Sequence, residues 1–522
     1  MNIADVLNDQ AQLRADSPAI IEVRGGRDRI VSFRELEAAS ARIAHQLTVR
    51  DITAGDSVLI LHGMSAELYA FLIALFRIGA QAMIVDPSAG SEFVKRCLAE
   101  NPPKAFFGSM KAMLLKFRIP ALRRIGLSIY TGPWPGALRV SLSNNGPALA
   151  SIAAVAESSP ALITFTSGST GAPKGAVRTH GFLLAQHHAL QQSLHHCAGA
   201  MDLTTLPVFV LANLASGITS VLPDADMRRP GHIAPRPVLR QLERLPIATM
   251  ASSPAFVARL SAECRQSGRR IARLQHVFMG GAPVFPEDLR QAREAFPQAE
   301  IVAVYGSTEA EPMAEIALSA MSDDDMNSMS QGRGLLVGLP VASISLRILR
   351  AQWGVPIAPL GADHFNALCL DAEEIGEIVV SGDHVLQGYL DGKGDAESKF
   401  RVDATVWHRT GDLGWLDRKG RLWLMGRASA AIEDERGVAY PFGVECAARQ
   451  IPGISRAAIV VLDGKRILAI ETDSRDSISA LRESMAWANL HEVRALRVIP
   501  MDKRHNAKID YVALRRMLAE HR

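Results

Sequence analysis

Short apolar and β-branched runs alternate along the chain with stretches whose apolar positions recur at helical spacing. The runs at 57–61, 81–85, 104–107, 161–166, 247–251, 274–279 and 301–304 predict strands, with helices between them. Ser32-Phe33-Arg34-Glu35 reads as a capping box, and Leu36, Ile43 and Leu47 follow on one helix face. Alternation of this kind predicts an α/β architecture with largely parallel sheets. The most apolar stretch, 67–85, carries Glu67, Arg77 and Gly79 and is marginal for a membrane span; it reads as a buried helix running into a strand. Beyond about residue 340 the pattern shifts to short strands, at 343–348 and 377–380, separated by turns. That predicts a smaller, partly antiparallel β unit. After Gly426-Arg427 a compact α+β unit is expected, with strands at 457–461 and 467–471 and a last helix from Tyr511. The predicted organisation is therefore a large N-terminal domain, 1–426, of α/β sheet subdomains plus the small β unit, and a small mobile α+β C-terminal domain, 427–522.

Composition narrows the function classes. Of 522 residues, 48% are apolar and 21% charged, which excludes disorder or a fibrous chain as the main state. The net charge of +3 gives no strong case for nucleic acid or an anionic membrane as the main partner. Cys97, Cys197, Cys264, Cys369 and Cys446 are scattered and form no CxxC pair, as in a reducing compartment. The start, MNIADVLNDQ, lacks the basic and apolar regions of a signal peptide, so a soluble cytoplasmic chain is expected.

The most informative string is TFTSGSTGAPKG, 164–175, directly after an apolar strand. Gly168, Gly171 and Gly175 let backbone N–H groups converge on an anion. Thr166, Ser167, Ser169 and Thr170 add hydroxyl donors, and Lys174 adds charge. Physically this is a polyphosphate cradle, although its spacing is not that of a Walker A loop. Read alone, it is also compatible with a flexible Ser/Gly surface loop. Met279-Gly280-Gly281-Ala282-Pro283 follows another strand, and its glycines would let a flat base lie against the backbone. Tyr305-Gly306-Ser307-Thr308-Glu309 sets a hydroxyl beside a carboxylate, which suits a magnesium–phosphate site; a Thr-Glu pair at a strand end also reads as a helix cap. Arg409-Thr410-Gly411-Asp412 offers a fixed carboxylate for ribose hydroxyls. Lys508, in Arg504-His505-Asn506-Ala507-Lys508-Ile509, is a lone lysine near the C-terminus.

Taken in this order, the strings resemble the motifs of the adenylate-forming superfamily, which includes acyl-CoA synthetases, luciferases and peptide-synthetase adenylation domains. The resemblance covers almost the whole chain. It implies ATP and Mg²⁺ as cofactors, with the 164–175 string on the phosphates and Gly280, Gly281, Ala282 and Pro283 along the adenine. Tyr305 would stack near the adenine, within the Tyr305-Gly306-Ser307 strand end. Thr308 would contact phosphate and Glu309 would bind Mg²⁺. Asp412 would hold the ribose, and Arg427 would join it at the nucleotide and mark the hinge. Lys508 would be the catalytic lysine, a mobile ammonium that stabilises charge growing on the carboxylate and the α-phosphate.

Three departures separate the chain from many CoA-forming relatives. Ser429 stands two positions after the hinge arginine, where Asp or Lys is common. No His follows Pro207 in Leu206-Pro207-Val208-Phe209-Val210-Leu211. The stretch 438–446, VAYPFGVEC, also departs from the usual thioester-forming pattern. With the segments 216–230, 251–256 and 504–508, these look like the β-lactone synthetases of bacterial long-chain olefin biosynthesis. That resemblance implies a 2-alkyl-3-hydroxy fatty acid whose carboxylate is adenylated and whose β-hydroxyl then closes a lactone. The nucleophile is intramolecular, so proximity replaces CoA binding. It also implies work beside a thiolase-like condensing enzyme, a ketone reductase and a decarboxylase. A medium- or long-chain acyl-CoA ligase is the second expectation, and a non-catalytic nucleotide-binding relative the third.

Val208, Phe209, Leu211, Leu214, Val221 and Leu222 read equally as an acyl pocket or as ordinary core, and Gly217 as room for a chain. His187, His188, His195 and His196 read as a polar helix face rather than a metal site. Asp323, Asp324 and Asp325 read as a solvated loop. Gly332, Gly334 and Gly338 miss the dinucleotide-binding spacing. No G-x-S-x-G elbow occurs, which speaks against a serine hydrolase.

Overall fold

A computed structural model describes all residues except 87–88, 144, 168–172, 196, 351, 502–507 and 521–522, and leaves the side chains of Thr166 and Ser167 undescribed. The chain divides into two compact units. The first comprises Met1–Ala225, Arg244–Ala251 and Asp383–Asp395. The second comprises Asp226–Glu243, Ser252–Gly382 and Ala396–Arg522.

In the first unit the strands Leu138–Arg139, Leu127–Tyr130, Ala105–Gly108, Ser57–Leu61, Gln81–Ile84, Pro160–Ser167 and Pro173–Thr179 lie side by side in that order. All neighbours are parallel except the last two, which form a hairpin. The helix Ala66–Ile78 is buried along its whole length and runs into Gln81–Ile84, as its apolar pattern predicts. Its two charged residues are only 4% and 2% exposed, and both are paired. Glu67 accepts from Arg24 and Arg29, while Arg77 pairs with Glu37 and donates to the Leu149 and Ala150 carbonyls. Gly79, at φ +74°, ends this helix in the left-handed conformation. The predicted capping box is formed: Ser32 caps Phe33–Thr48 with Glu35, and Leu36, Ile43 and Leu47 face the core. A second sheet in this unit runs Arg27–Ser32, Pro18–Arg24, Thr219–Val221, Met201–Thr204, Thr249–Ser252.

In the second unit the parallel pair His276–Met279 and Glu300–Ser307 continues into an antiparallel series, Ala310–Ala317, Leu335–Pro340, Leu422–Arg427, Thr405–Leu416, Gly376–Ser381 and Ser345–Leu349. The expected β unit is thus wholly antiparallel in these ladders. Near the C-terminus, Arg456–Leu462 and Lys465–Glu471 form a hairpin, with Glu492–Leu496 parallel alongside. The last helix begins at Tyr511, as expected.

Two sequence expectations fail. Asp323–Ser330 is a helix, not a solvated loop. Ser322 and Asp325 form its capping box, and Asp325 is 6% exposed. Arg421 makes two bonds to Asp325, of 2.7 and 2.9 Å. Burial alone would raise the Asp325 carboxyl, but Arg421 and Ser322 outweigh it and hold it at about 2. A depressed carboxylate stabilises the fold above its ordinary value and loses that contribution as pH falls through its folded value. Asp325→Asn is therefore expected to destabilise the protein by about 2 kcal/mol at neutral pH, with the gap closing between about pH 4 and pH 2. Denaturant midpoints of both proteins across that range check this; a gap that does not change with pH would refute it. The histidines also do not share a helix face. Their helix stops at Ser193, and His187 is buried with its ring 3.4 Å from Ser216 Oγ. Burial pulls His187 down to about 4. His188 is exposed, His195 lies beyond the helix end at φ +49°, and His196 is outside the described residues.

Candidate nucleotide site

The strand Glu300–Ser307 leads straight into a two-residue turn, Thr308-Glu309, and returns as Ala310–Ala317, with Ser307 paired to Ala310. The Thr-Glu pair is therefore the tip of a β-hairpin and not a helix cap. The Glu309 N–H donates to Ser307 Oγ at 3.2 Å. The neighbouring strand His276–Met279 ends at Gly280-Gly281, where Gly281 has φ +78° and open space on its side-chain side.

Both strand ends open on one cavity of the second unit, of about 380 Å³. Gly281, Ala282, Pro283, Tyr305, Gly306, Ser307, Asp412, Arg427 and Lys508 all line it. Motifs more than 200 residues apart in sequence are thus brought together. Gly280, Thr308 and Glu309 adjoin lining residues in the chain without lining the cavity themselves.

Asp412 is held from two sides. It faces Arg427 directly across an antiparallel pair of strands. Arg427 Nε lies 3.2 Å from its Oδ1, and the Tyr305 hydroxyl donates to its Oδ2 at 2.7 Å. Arg427 also donates to the Thr410 carbonyl at 2.8 Å. Thr410 Oγ1 donates to the Ile378 carbonyl at 2.9 Å, and the Asp412 N–H donates to Thr410 Oγ1 at 3.1 Å. Burial, reinforced by the Asp412 charge, pushes the Tyr305 phenol well above its usual value, so it remains a donor at any physiological pH. Asp412 is the kind of fixed, partly exposed acceptor that a pair of sugar hydroxyls needs. Gly411, at φ +70°, must be glycine, since a Cβ would lie 2.9 Å from the Trp353 ring. Beneath it, Arg409 and Glu377 form an ion pair with both side chains 0% exposed.

Lys508 lines the cavity next to Ile509, which makes an antiparallel bridge with Met501. It is exposed, and Phe442, Glu445, Arg449, Arg456 and Tyr511 line the same cavity. Arg449 ties this wall to the rest of the unit: it bonds Asp288 at 2.8 Å, and its guanidinium stacks 4.1 Å from the Phe285 ring centroid.

The 164–175 string belongs to the first unit. It forms the hairpin of Pro160–Ser167 and Pro173–Thr179, in which Thr166 pairs with Lys174. Lys174 Nζ sits 5.9 Å from the Tyr389 ring centroid. Gly168, Ser169, Thr170 and Gly171 lie outside the described residues. Among the residues read as acyl pocket or core, most are packed. Leu211, Leu214 and Leu222 sit in a core cluster of this unit, Phe209 and Val221 are 3% and 0% exposed, and Val208 is half-buried. The space beside Gly217 is taken by the side chains of Gln10 and Arg14, 2.5 Å from where a Cβ would stand.

The AMP-binding enzyme family matches residues 7–390. The chain belongs to this family. It is an adenylate-forming ligase that acts on a carboxylate. It is 32% identical, over 97% of its length and 96% of the relative's, to an olefin beta-lactone synthetase of Stenotrophomonas maltophilia (strain K279a). An indoleacetate–CoA ligase of Aromatoleum aromaticum (strain DSM 19018 / LMG 30748 / EbN1) is 29% identical over 83% of this chain and 80% of that one. The fold is shared with amide bond synthetase McbA from Marinactinospora thermotolerans, at a TM-score of 0.82 and 21% identity over 99% of both chains. It is also shared with the O-succinylbenzoate coenzyme A synthetase of Bacillus subtilis solved with ATP and a magnesium ion, at a TM-score of 0.76 and 22% identity over 98% and 99% of the chains. This adenylate-forming enzyme has no helix, among the described residues, long and apolar enough to cross a membrane.

Sequence reading missed the second wall of its cavity. Glu445 is 1% exposed; its Oε1 accepts from the Tyr511 hydroxyl at 2.7 Å and from the Ile459 N–H at 3.2 Å. Burial pushes its carboxyl up to about 8 despite those bonds. The only signal was a carboxylate in a helix, Pro441–Arg449, whose other residues before Arg449 are apolar or small, and that is also how a structural residue looks.

Proposed function

We propose that the enzyme joins ATP to a 2-alkyl-3-hydroxy fatty acid and closes it to a β-lactone. A carboxylate oxygen attacks the α-phosphorus and pyrophosphate leaves. The β-hydroxyl oxygen then attacks the acyl carbon, its proton is lost, and the bond to AMP breaks. The observation that carries this reading is the single cavity lined by Gly281-Ala282-Pro283, Tyr305, Asp412, Arg427 and Lys508. The name of the Stenotrophomonas relative, at 32% identity over nearly the whole chain, supports the lactone step. Exposed Ser429, in the turn Ala428–Ala430 after Arg427, fits an enzyme whose nucleophile arrives within its own substrate.

In this reading Asp412 accepts the ribose hydroxyls, Tyr305 fixes Asp412 and borders the adenine, and Gly280 to Pro283 flank the base. Lys174 and the backbone and hydroxyls of 166–171 serve the phosphates. Lys508 neutralises charge that grows between carboxylate and α-phosphate. Mg²⁺ is often held by one carboxylate and substrate phosphates; Glu309 would supply the carboxylate and Thr308 a hydroxyl beside it. Bound there, Mg²⁺ would offset the charge of the phosphate oxygens. Residues 427–522 act as the moving part that brings Lys508 in, and the enzyme works in the cytoplasm beside a thiolase-like condensing enzyme, a ketone reductase and a decarboxylase.

The test is product analysis with MgATP and a racemic 2-alkyl-3-hydroxy fatty acid, with and without CoA. A β-lactone with AMP in the absence of CoA is expected. A thioester formed only with CoA would replace this reading with an acyl-CoA ligase, which the 29% identity to a CoA ligase favours. ATP binding with no AMP in either arm would favour a non-catalytic relative.

A further inference from the structure

We propose that the face built by residues 110–124 in the first unit docks on an anionic phospholipid bilayer. The helix Met110–Leu115 is fixed at its start by Ser109, which accepts from the Ala112 N–H. The inner side of this segment is complete: Ala112, Met113, Ile119, Leu122 and Ile125 are buried in one core cluster with Phe106 and Leu61. The outer side carries Met110, Leu114 and Phe117, which are 46%, 51% and 69% exposed. Met110 and Leu114, at i and i+4, share one face of the helix, and Phe117 follows in the turn after it. Core packing does not require them, and three large exposed apolar side chains within eight residues are a binding feature rather than scattered surface.

Charge selects the partner. Residues 110–124 contain Lys111, Lys116, Arg118, Arg123 and Arg124 and no Asp or Glu, in a chain whose total net charge is only +3. Lys116 turns inward to Ser128 Oγ at 2.5 Å, while Lys111, Arg118, Arg123 and Arg124 are exposed. Cations flanking exposed apolar side chains match a surface that is negative outside and hydrocarbon beneath. Nucleic acid offers the charge without the hydrocarbon. With no membrane-crossing helix among the described residues, attachment would be peripheral and reversible. Each exposed cation near such a surface strengthens binding roughly fivefold, so four cations and three apolar side chains suffice for measurable partition. This inference does not depend on which acid the enzyme activates.

The experiment is co-sedimentation of the full chain with phosphatidylcholine vesicles, with and without phosphatidylglycerol. Binding is expected only with phosphatidylglycerol, and it should weaken as salt rises. The pairs Leu114→Glu/Phe117→Glu and Lys111→Glu/Arg118→Glu should each lower partition at least tenfold. ATP-driven pyrophosphate release without vesicles and the unfolding midpoint should stay unchanged, since these side chains lie outside the cavity and the core. Equal sedimentation of wild type and both variants, or none at all, would overturn the proposal. So would a concentration-dependent dimer that the variants abolish with no vesicle binding, which would make the face a contact between copies.

Discussion

Replacing Lys508 with alanine is expected to slow pyrophosphate release from bound ATP by roughly two to three orders of magnitude while changing nucleotide affinity less than about tenfold. The expectation rests on how the cavity divides its work. The groups proposed to hold the nucleoside, Asp412, Tyr305 and Arg427, are bonded to one another and to strands of the sheet, so they are in place before any substrate arrives. Lys508 is exposed and brings a cation to the cavity wall. A cation placed where negative charge accumulates in the transition state contributes more to turnover than to ground-state binding. Asp412→Ala should do the opposite, weakening ATP binding more than it slows turnover of bound ATP. Single-turnover release of pyrophosphate with a separate ATP-binding titration distinguishes the two. If Lys508→Ala destroys ATP binding and leaves turnover of bound ATP intact, the role given to Lys508 is wrong. Arg449→Leu provides a further check, because it cuts the tie to Asp288 and Phe285 while leaving Lys508 itself in place. It should lower the rate less than Lys508→Ala.

What the sequence revealed depended on whether the deciding interactions were local. The capping box at Ser32 and Glu35, the Gly79 stop and the helix start at Tyr511 each involve residues within a few positions, and each was legible. Strand existence was also legible, but 301–304 grew to Glu300–Ser307 because its hairpin partner Ala310–Ala317 extends the ladder, which no local pattern reveals. The strings that line one wall of the cavity were readable as a group because they are long and ordered. The Glu445, Arg449 and Tyr511 wall was not, because each is one polar residue whose partner lies 14 to 161 positions away. Asp325 misled for the same reason: three consecutive aspartates look solvated until Arg421, 96 residues on, pairs with one of them. Leu211, Leu214 and Leu222 show the remaining limit, since apolar periodicity is the same whether a side chain meets core or substrate.

The Arg409–Glu377 pair beneath Asp412 leads to the largest expected effect on stability. Both side chains are fully buried; Arg409 Nη2 lies 2.6 Å from Glu377 Oε2, and the guanidinium also donates to the Val355 and Gln352 carbonyls. Burial pushes the Glu377 carboxyl up, and only the Arg409 partner opposes it. Arg409→Met would leave a buried carboxylate uncompensated and two carbonyls without donors. A loss of about 3–5 kcal/mol is expected, read as a fall in the denaturant midpoint. The variant's Glu377 would then hold its proton well above the ordinary value. A group whose folded value is raised stabilises below its unfolded value and loses that contribution as pH climbs, so the deficit should grow from pH 5 to pH 8. Glu377→Leu combined with Arg409→Met should recover most of the loss, because the pair is then replaced by apolar groups of similar size. Thr410 and Asp412 continue the same strand from Arg409, so the single variant should also weaken ATP binding and the double variant should restore part of it. A single variant within about 1 kcal/mol of wild type would show that solvent reaches Glu377, and that Asp412 owes its position to Tyr305 and Arg427 alone.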